Sequence, residues 1–582
     1  MQQTVCRQNH VLYESFVIVK TANDLRGARR VTADDVKKMP ATTVQGGTLL
    51  LLASLIPVLD FGLANMTDNA FLPRRLGIYF LGLLLCGIIL AVFVKLIAWR
   101  SRAATALIVA AGLVFAFFSY NYAGHAVATI LLSGATDERT VLMTFGAVAI
   151  VVVALATFIS RSRGATGALL FAGVAMTALT GFQLGYHLVF TEGGRAALSA
   201  KAENFAQWPR DPANLSKNIH VEATTPAQAN VYYIIPDMFM GESEFAELVG
   251  SEHEMGDRLR ERGFEVIPNY YSNAPITRFS LAHVFGGAYF AEEGDQVTSD
   301  MLRLLPWRIN NDVMKEFRRR GYSIFNYIDP YVTAQCDPLA DFCFAPDAFL
   351  QGQDLIFMER APLGDIMAMA GDTRVNVWRR LLTFPGSYEI PAVMNYLPQP
   401  GASPHFTFMH FGLPHSPYRF NEDCQYYDAY PPIRRNTLQG STEAYARQVA
   451  CATRLYTQLL DRIIERDPEA IIVFQADHGV NYYGQDSGVD IYSLSDEAVR
   501  QNLSILGGYK MPDRCIGSVR DPNMSPVNTF AVVFACLDGT EPALLEPKNF
   551  LMYYLSWQPA AQIRDVTQIV GQRRASSPDD LD

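Results

Sequence analysis

The pattern of hydrophobic and polar positions divides the chain in two. Its first third holds apolar runs of membrane-crossing length, one after another. Beyond them, short β-branched and aromatic runs alternate with amphipathic stretches. The apolar segments run approximately Gly47–Asn65, Gly77–Ala98, Ala104–Tyr122, Val141–Ile159 and Gly167–Phe190. Each is near the ~20 residues that cross a ~30 Å hydrocarbon core. A buried core helix is the other reading of such a run, but five in succession leave no polar face for water. Asp60 makes the first the least clean, and the fourth is short of ideal.

Basic residues set the orientation. Arg7, Lys20, Arg26, Arg29, Arg30, Lys37 and Lys38 precede the first run. Arg100 and Arg102 follow the second, and Arg161 and Arg163 follow the fourth. The intervening loops hold fewer, namely Arg74, Arg75 and Arg139. The positive-inside rule then puts the amino terminus in the cytoplasm. Five crossings leave the chain outside from about Thr191. The leading segment does not read as a cleavable signal peptide, since no short apolar stretch with a small-residue cleavage site precedes the first run.

The rest reads as a soluble α/β unit. Thr191 to Ala229 is polar, with Pro209, Pro212 and Pro226, as expected of a linker. Strands are predicted over Asn230–Ile235, Phe264–Ile267, Tyr322–Tyr327, His405–Met409 and Ala470–Phe474. Helices are predicted near Glu244–Arg262, Val313–Arg320 and Thr442–Glu465. The last places Ala446, Val449, Ala450, Leu455, Leu459 and Ile463 on one face. Strands alternating with helices predict a mostly parallel sheet.

Composition changes the picture in two ways. The net charge of -10 argues against nucleic acid as a partner, because phosphate binding needs clustered Lys and Arg. Of eight cysteines, Cys6 falls in the cytoplasmic segment and Cys86 within the second span. Cys336, Cys343, Cys424, Cys451, Cys515 and Cys536 fall in the outside region, where oxidising conditions favour three disulfides. Sequence-local pairing would join Cys336–Cys343, Cys424–Cys451 and Cys515–Cys536, one of about 15 possible connectivities. A zinc–cysteine site is the alternative, but no C-x-x-C spacing is present.

Candidate chemistry gathers at strand ends. Ala476-Asp477-His478-Gly479 follows the apolar run Ile471–Phe474 directly. A carboxylate and an imidazole thus arrive together at a carboxyl edge, where open α/β sheets bind ligands and where this pair can hold a divalent metal. Asp237 follows the first strand; it would reach the same crevice, or cap the next helix. Thr277 sits in a loop before a helix starting near Phe279, with Arg278 beside it and Ser280 as the rival hydroxyl. A threonine hydroxyl becomes a nucleophile when a divalent metal stabilises its anion; otherwise Thr277 is an N-cap. The helix start and Arg278 suit a bound anion such as a phosphoryl oxygen. His410 and His415 bracket a Gly/Pro loop after another strand, suited to anion contact or metal ligation. His283 and His405 lack such context and read as structural.

The order strand–Asp237, loop–Thr277, strand–His410–His415, strand–Asp477-His478-Gly479 resembles the alkaline phosphatase superfamily. More narrowly, it is similar to sulfatase-like membrane proteins, which include the phosphoethanolamine transferases and the lipoteichoic-acid-synthase type phosphoglycerol transferases. The resemblance covers about Asn230 to Tyr554, and Asp-His-Gly and Pro414-His415-Ser416-Pro417-Tyr418 are its most specific parts. It implies about five amino-terminal spans and an extracytoplasmic sulfatase-like α/β domain, its mostly parallel sheet sandwiched by helices. It implies one divalent metal (zinc, manganese, calcium or magnesium) on Asp237, Thr277, Asp477 and His478, with Thr277 forming a phospho-enzyme. His410 and His415 would contact the transferred group or protonate the leaving oxygen. Arg278 as a substrate contact is inferred from position, not from the resemblance. Ser525-Pro526-Val527-Asn528-Thr529-Phe530 looks like a late element of a membrane-bound branch, with no chemical role apparent.

Two departures matter. Sulfatases use a Cys or Ser in C/S-x-P-x-R, oxidised to formylglycine; here the position four before Arg278 is Ala274. Many also carry paired Asp after the first strand, where Met238 follows Asp237. The expected organisation is a cytoplasmic segment (1–45), a transmembrane domain (46–190), a linker (191–229), a catalytic domain (230–560) and a polar tail (561–582). The expected function is a multi-pass membrane enzyme, its catalytic domain periplasmic or extracellular. It would act as a phosphotransferase or hydrolase on a lipid or envelope-glycan head group, and the sequence leaves its oligomeric state open. A sulfuric-ester hydrolase and an inactive sulfatase-like binding module are the alternatives. A transporter is disfavoured because the spans hold few ionisable residues beyond Asp60.

Overall fold

The computed structural model describes residues 41–65, 75–99, 102–120, 138–190, 229–295, 311–327, 386–398, 404–425, 438–480, 490–553 and 562–574, with 297, 305, 337, 339–344 and 357; positions 417, 419 and 523 are excepted. Helices α1 (Ala41–Asn65), α2 (Arg75–Ile97), α3 (Ala103–Phe118), α4 (Glu138–Ile159) and α5 (Arg163–Phe190) lie over the predicted apolar segments. By length and composition α1, α2 and α5 are able to cross a membrane. Two of the five are shorter: α3 has 16 residues, and the apolar part of α4 is Phe145–Ile159. Their outer faces carry exposed Ile, Leu, Val and Phe, such as Ile78, Leu81, Phe158, Phe171 and Phe182. Such a surface suits lipid, and a soluble protein could not tolerate it.

Among the described residues of the carboxyl-terminal region, Phe357 reaches this bundle. The Phe357 ring stacks on Tyr79 at 4.4 Å and meets Phe61 at 5.1 Å and Phe118 at 5.5 Å. Those partners sit at the end of α1, the start of α2 and the end of α3. In an up-and-down bundle these are one and the same end.

The second region is built on a seven-stranded mixed sheet. Its strands are β1 (Val231–Pro236), β2 (Glu265–Val266), β3 (Ser323–Tyr327), β4 (Phe342–Phe344), β5 (His405–Phe411), β6 (Ile471–Gln475) and β7 (Gly507–Lys510). The order is β2-β7-β6-β1-β5-β3-β4. All pairings from β6 to β4 are parallel; β7 runs antiparallel to β6 and β2. The central strands β1, β5 and β6 are buried at every position, as strands covered on both faces must be. A separate hairpin joins β8 (Phe550–Tyr553) to β9 (Gln562–Asp565).

Helices cover both faces. On one lie α8 (Thr277–Gly286), α9 (Asp312–Arg319) and α14 (Thr529–Asp538). Phe285 meets Phe408 there, and Phe530 meets Tyr233. On the other lies the long α11 (Leu438–Arg466), with Tyr456 against Phe411 and Phe474. The expected helix over Glu244–Arg262 is two, α6 (Glu242–Val249) and α7 (Met255–Arg260). They are separated by Gly250, which ends α6 in a left-handed cap at φ 79°. The folded region also passes the expected boundary at residue 560. β9 and α15 (Thr567–Arg574) pack Val566 and Val570 on Leu503 of α12 (Asp496–Leu503) and Leu551 of β8.

Cys424–Cys451 and Cys515–Cys536 are bonded, as sequence-local pairing had it. Cys343 is also disulfide-bonded; its expected partner Cys336 lies outside the described residues.

His283 and His405 are core residues. Burial lowers their pKa from the usual 6.5 to about 4 and about 3. The native state thus holds them neutral while the unfolded chain protonates near 6.5, so their stabilisation is complete above pH 6.5 and is lost as the pH falls towards 4. The melting temperature of the full chain is expected to drop across that window. The His283→Phe variant should flatten the drop by of order 3 kcal/mol; an unchanged slope would refute the assignment.

Candidate functional site

The parallel strands deliver their side chains to one carboxyl edge. Asp237 follows β1, His410 lies near the end of β5, and Asp477 and His478 follow β6. β1 lies between β5 and β6, so the three ends are adjacent. Thr277 opens α8 on the same side.

Two simpler roles are removed by the local geometry. The N-cap position of α8 is Ile276, so Thr277 is the first helical residue and its hydroxyl does not cap. The helix after β1 is capped at Gly241, so Asp237 does not cap either. Ser280, the rival hydroxyl, is buried one turn further along α8 and bonded to Ser272 at 3.0 Å.

The structure brings Asp237, Thr277, His410, His415, Asp477 and His478 together. Thr277 Oγ1 is 3.3 Å from His478 Nε2. That nitrogen is 3.5 Å from Asp237 Oδ1 and 3.6 Å from Asp477 Oδ2. His410 Nε2 is 3.4 Å from Asp237 Oδ2. The His415 and His478 rings are edge-to-face at 6.1 Å. Arg278 is half-buried next to Thr277, and among the described residues no ion pair ties it to the cluster.

The hydrogen bonds orient the donors. His478 Nδ1 meets the Gly479 carbonyl at 2.7 Å, and His415 Nδ1 meets that of Ser416 at 2.5 Å. A carbonyl only accepts, so each Nδ1 carries a proton, and Nε2 is the nitrogen left to offer a lone pair to a ligand. Asp477 Oδ1 accepts from the His478 N–H (2.9 Å) and the Met238 N–H (3.1 Å). Asp237 Oδ1 and Asp477 Oδ2 are buried without a hydrogen-bond partner. Burial would push the Asp237 carboxyl up; positive charge on His415, His410 and His478 outweighs it and holds the carboxyl well below the usual carboxylate range.

These residues fit a divalent cation. Ligand atoms about 2.0–2.1 Å from a tetrahedral ion lie about 3.3–3.4 Å apart, close to the 3.3–3.6 Å found around His478 Nε2. Buried carboxylate oxygens facing a neutral imidazole lone pair repel unless a cation lies between them. Asp237–His415–His478 and Asp237–His410–Asp477 each converge within 4.8 Å. His410 and His415 therefore belong to the donor cluster itself. Mixed nitrogen and oxygen donors suit zinc or manganese.

Backbone packing explains the glycine of Asp-His-Gly. A Cβ on Gly479 would lie 2.1 Å from the Gln501 carbonyl oxygen and 2.7 Å from that of Ser504. Neither backbone atom can yield cheaply. Gly479→Ala is expected to cost about 1–3 kcal/mol, read as a lowered melting temperature, and to weaken ion binding with it. An unshifted melting curve would show that the loop has room.

Hydrophobic and polar patterning carries no sign of the residues that brace the site. The Ser272 hydroxyl donates to the Asp477 carbonyl at 2.6 Å, tying the Thr277 turn to the ligand pair. The Asn273 amide donates to Ser525 Oγ and accepts from the Val527 N–H, both at 2.8 Å. Thr529 donates to Gln475 Oε1 at 2.7 Å, and that oxygen also accepts from Tyr509 at 2.6 Å. Ser525–Thr529, without a role in the sequence, is thus a bracket between the Thr277 turn and the strand that Asp477 follows. Its signal was legible only as polar residues next to an apolar helix.

Comparison with known proteins agrees with this architecture. The family model described as Sulfatase matches residues 230–539. The chain belongs to the sulfatase family, within the alkaline phosphatase superfamily, and among the described residues three helices are long and apolar enough to cross a membrane. None of the curated proteins compared is similar to it. Among solved structures it is similar to the C-terminal periplasmic domain of EcEptC from Escherichia coli (14% identity; 59% of this chain and 94% of that one; TM-score 0.37). It is similar also to the integral membrane protein lipooligosaccharide phosphoethanolamine transferase A from Neisseria meningitidis (12% identity; 78% and 94%; TM-score 0.36). A third is the periplasmic domain of the phosphoethanolamine transferase EptC from Campylobacter jejuni (12% identity; 52% and 88%; TM-score 0.34). Likeness at this level transfers no substrate from one protein to another.

Proposed function

We propose that the chain transfers or hydrolyses a phosphoryl-linked group on a lipid or envelope-glycan head group, with Thr277 as nucleophile and a divalent ion on Asp237, Thr277, Asp477 and His478. The observation that carries this reading is the Thr277 hydroxyl, 3.3 Å from His478 Nε2, beside two buried carboxylates that each keep one oxygen without a hydrogen-bond donor among the described residues. The ion would stabilise negative charge on the threonine oxygen and on the phosphoryl oxygens.

The chain's own groups supply the rest. Thr277 Oγ, its hydroxyl proton already released to solvent, would attack phosphorus as the alkoxide; the Oγ–phosphorus bond forms as the bond to the leaving oxygen breaks. His410 or His415, starting as the imidazolium, would give the leaving oxygen its proton and become neutral. An acceptor hydroxyl or water then attacks the phospho-threonine, gives a proton back to the imidazole and frees Thr277. A hydroxyl acceptor makes the enzyme a transferase, and water makes it a hydrolase. Arg278, beside Thr277 at the start of α8, would meet a phosphoryl oxygen.

The membrane portion serves the same chemistry. We propose five crossings, with the amino terminus in the cytoplasm and the catalytic domain on the far side. The distribution of basic residues, the disulfides of the second region and the contact of Phe357 with one end of the bundle support this topology. Anchoring raises the effective concentration of lipid-linked substrate at the edge of the sheet. Formylglycine chemistry is disfavoured by Ala274.

Lipid profiling of cells carrying the intact chain or its Thr277→Ala variant tests the proposal. A modified lipid or glycan present with the first and missing with the second is the expected result. Identical profiles, with both proteins folded and ion-loaded, would refute it.

A further inference from the structure

The chemistry above leaves unused a row of polar groups on α11. Tyr445, Gln448 and Tyr456 are fully buried, and spacings of three and eleven residues place them on one helical face. Each spends its polar atoms on the backbone of a loop at the carboxyl edge. The Tyr445 hydroxyl donates to the Met238 carbonyl at 2.8 Å and accepts from the Met240 N–H at 3.1 Å. The Gln448 amide donates to the Pro414 carbonyl at 2.8 Å and the His415 carbonyl at 2.9 Å, and accepts from the Phe420 N–H at 3.3 Å. The Tyr456 hydroxyl donates to the Leu413 carbonyl at 2.6 Å. Cys424–Cys451 pins the far end of the same loop to the helix.

The backbone at Met238 shows why the clamp is needed. Met238 has φ 64°, in the left-handed region that a residue with a long side chain rarely adopts. Its N–H donates to Asp477 Oδ1 while its carbonyl is held by Tyr445. Relaxing that residue to an ordinary conformation would turn the N–H away from Asp477 and swing Asp237, its neighbour in sequence. Strained backbone of this kind persists only where its surroundings over-determine it.

We propose that Tyr445 and Gln448 are positioning residues for the ion site. Tyr445 holds Met238 in the conformation that aligns the Asp237 and Asp477 carboxylates, and Gln448 sets the loop that presents His415. Neither residue is among the donor groups. The inference rests on the metal reading above, and its test separates the two.

Manganese and zinc binding are titrated on the full chain in detergent, alongside melting curves of the ion-free proteins. Groups that orient metal ligands typically change affinity about 10- to 100-fold. Tyr445→Phe keeps the ring and is expected to weaken ion binding by about tenfold or more. Adding Met238→Gly should recover part of that loss, because glycine adopts positive φ without penalty. A merely structural tyrosine would lower the melting temperature, leave the affinity of the folded protein unchanged and show no rescue. Tyr445→Phe binding within about twofold of the unmodified chain would overturn the inference alone. An unmodified chain that binds neither ion would overturn both it and the metal reading. Should Tyr445→Phe fail to fold, Gln448→Leu decides: a comparable loss of affinity supports the proposal, and unchanged affinity refutes it.

Discussion

Asp477→Asn is expected to abolish ion binding and turnover together. Asparagine has nearly the shape of aspartate, and its carbonyl oxygen can still accept from the Met238 and His478 N–H groups that now reach Oδ1. What changes is the second oxygen, buried and without a hydrogen donor. In asparagine that position is an NH₂ group, which offers no lone pair to a cation and points protons at it. Orienting groups alone change affinity about 10- to 100-fold, so loss of a ligand should exceed about 100-fold. The ion-free variant should melt no lower than the unmodified chain, because a buried uncompensated charge has been removed. Ion content after dialysis and melting curves with and without ion read both quantities. Activity retained with full ion content would contradict the ligand role.

Thr277→Ala separates the nucleophile from the ligand shell. Turnover is expected to fall by about 10³-fold or more, while the two carboxylates and His478 keep most of the ion affinity. Thr277→Ser should retain measurable activity, since it keeps a hydroxyl at the first position of α8. Ser280→Ala should stay within about tenfold of normal, because that hydroxyl is buried against Ser272 and not aimed at the cluster. The opposite ranking, with Ser280→Ala dead and Thr277→Ala active, would assign the nucleophile to Ser280.

Residues at the ends of strands were legible because the signal is local. An apolar run such as Ile471–Phe474 announces a buried strand, and the residues directly after it must emerge at the edge. Asp237, His410, Asp477 and His478 could therefore be placed from sequence. Thr277 was harder, since a threonine before a helix usually caps it; only the observed start of α8 removes that role. His410 and His415, read from sequence as suited to anion contact or metal ligation, lie within reach of Asp237, Asp477 and His478, a distance that no pattern encodes.

The rest of the fold was hidden for specific reasons. β7 begins Gly507-Gly508, which carries no β-propensity, and it enters the sheet antiparallel. β4 is three residues long, too short to show a period. One continuous helix was expected where Gly250 ends α6. Residues 562–574 read as a polar tail, yet Ile563, Val566 and Val570 supply a buried stripe. Tyr445, Gln448, Ser272 and Asn273 act on backbone atoms distant in sequence, so their neighbourhoods in the chain say nothing of their role.

The donors come from opposite ends of a long stretch of chain. Asp237 precedes its partner residue Asp477, across the Met238 N–H bond, by about 240 positions, and the bracket at Ser525–Thr529 comes later still. Contacts so remote in sequence close late in folding. On the proposed chemistry, the polypeptide would be chemically unarmed during synthesis. Thr277 would become reactive only after the final strands have docked, and loading with an ion would mark a completed molecule.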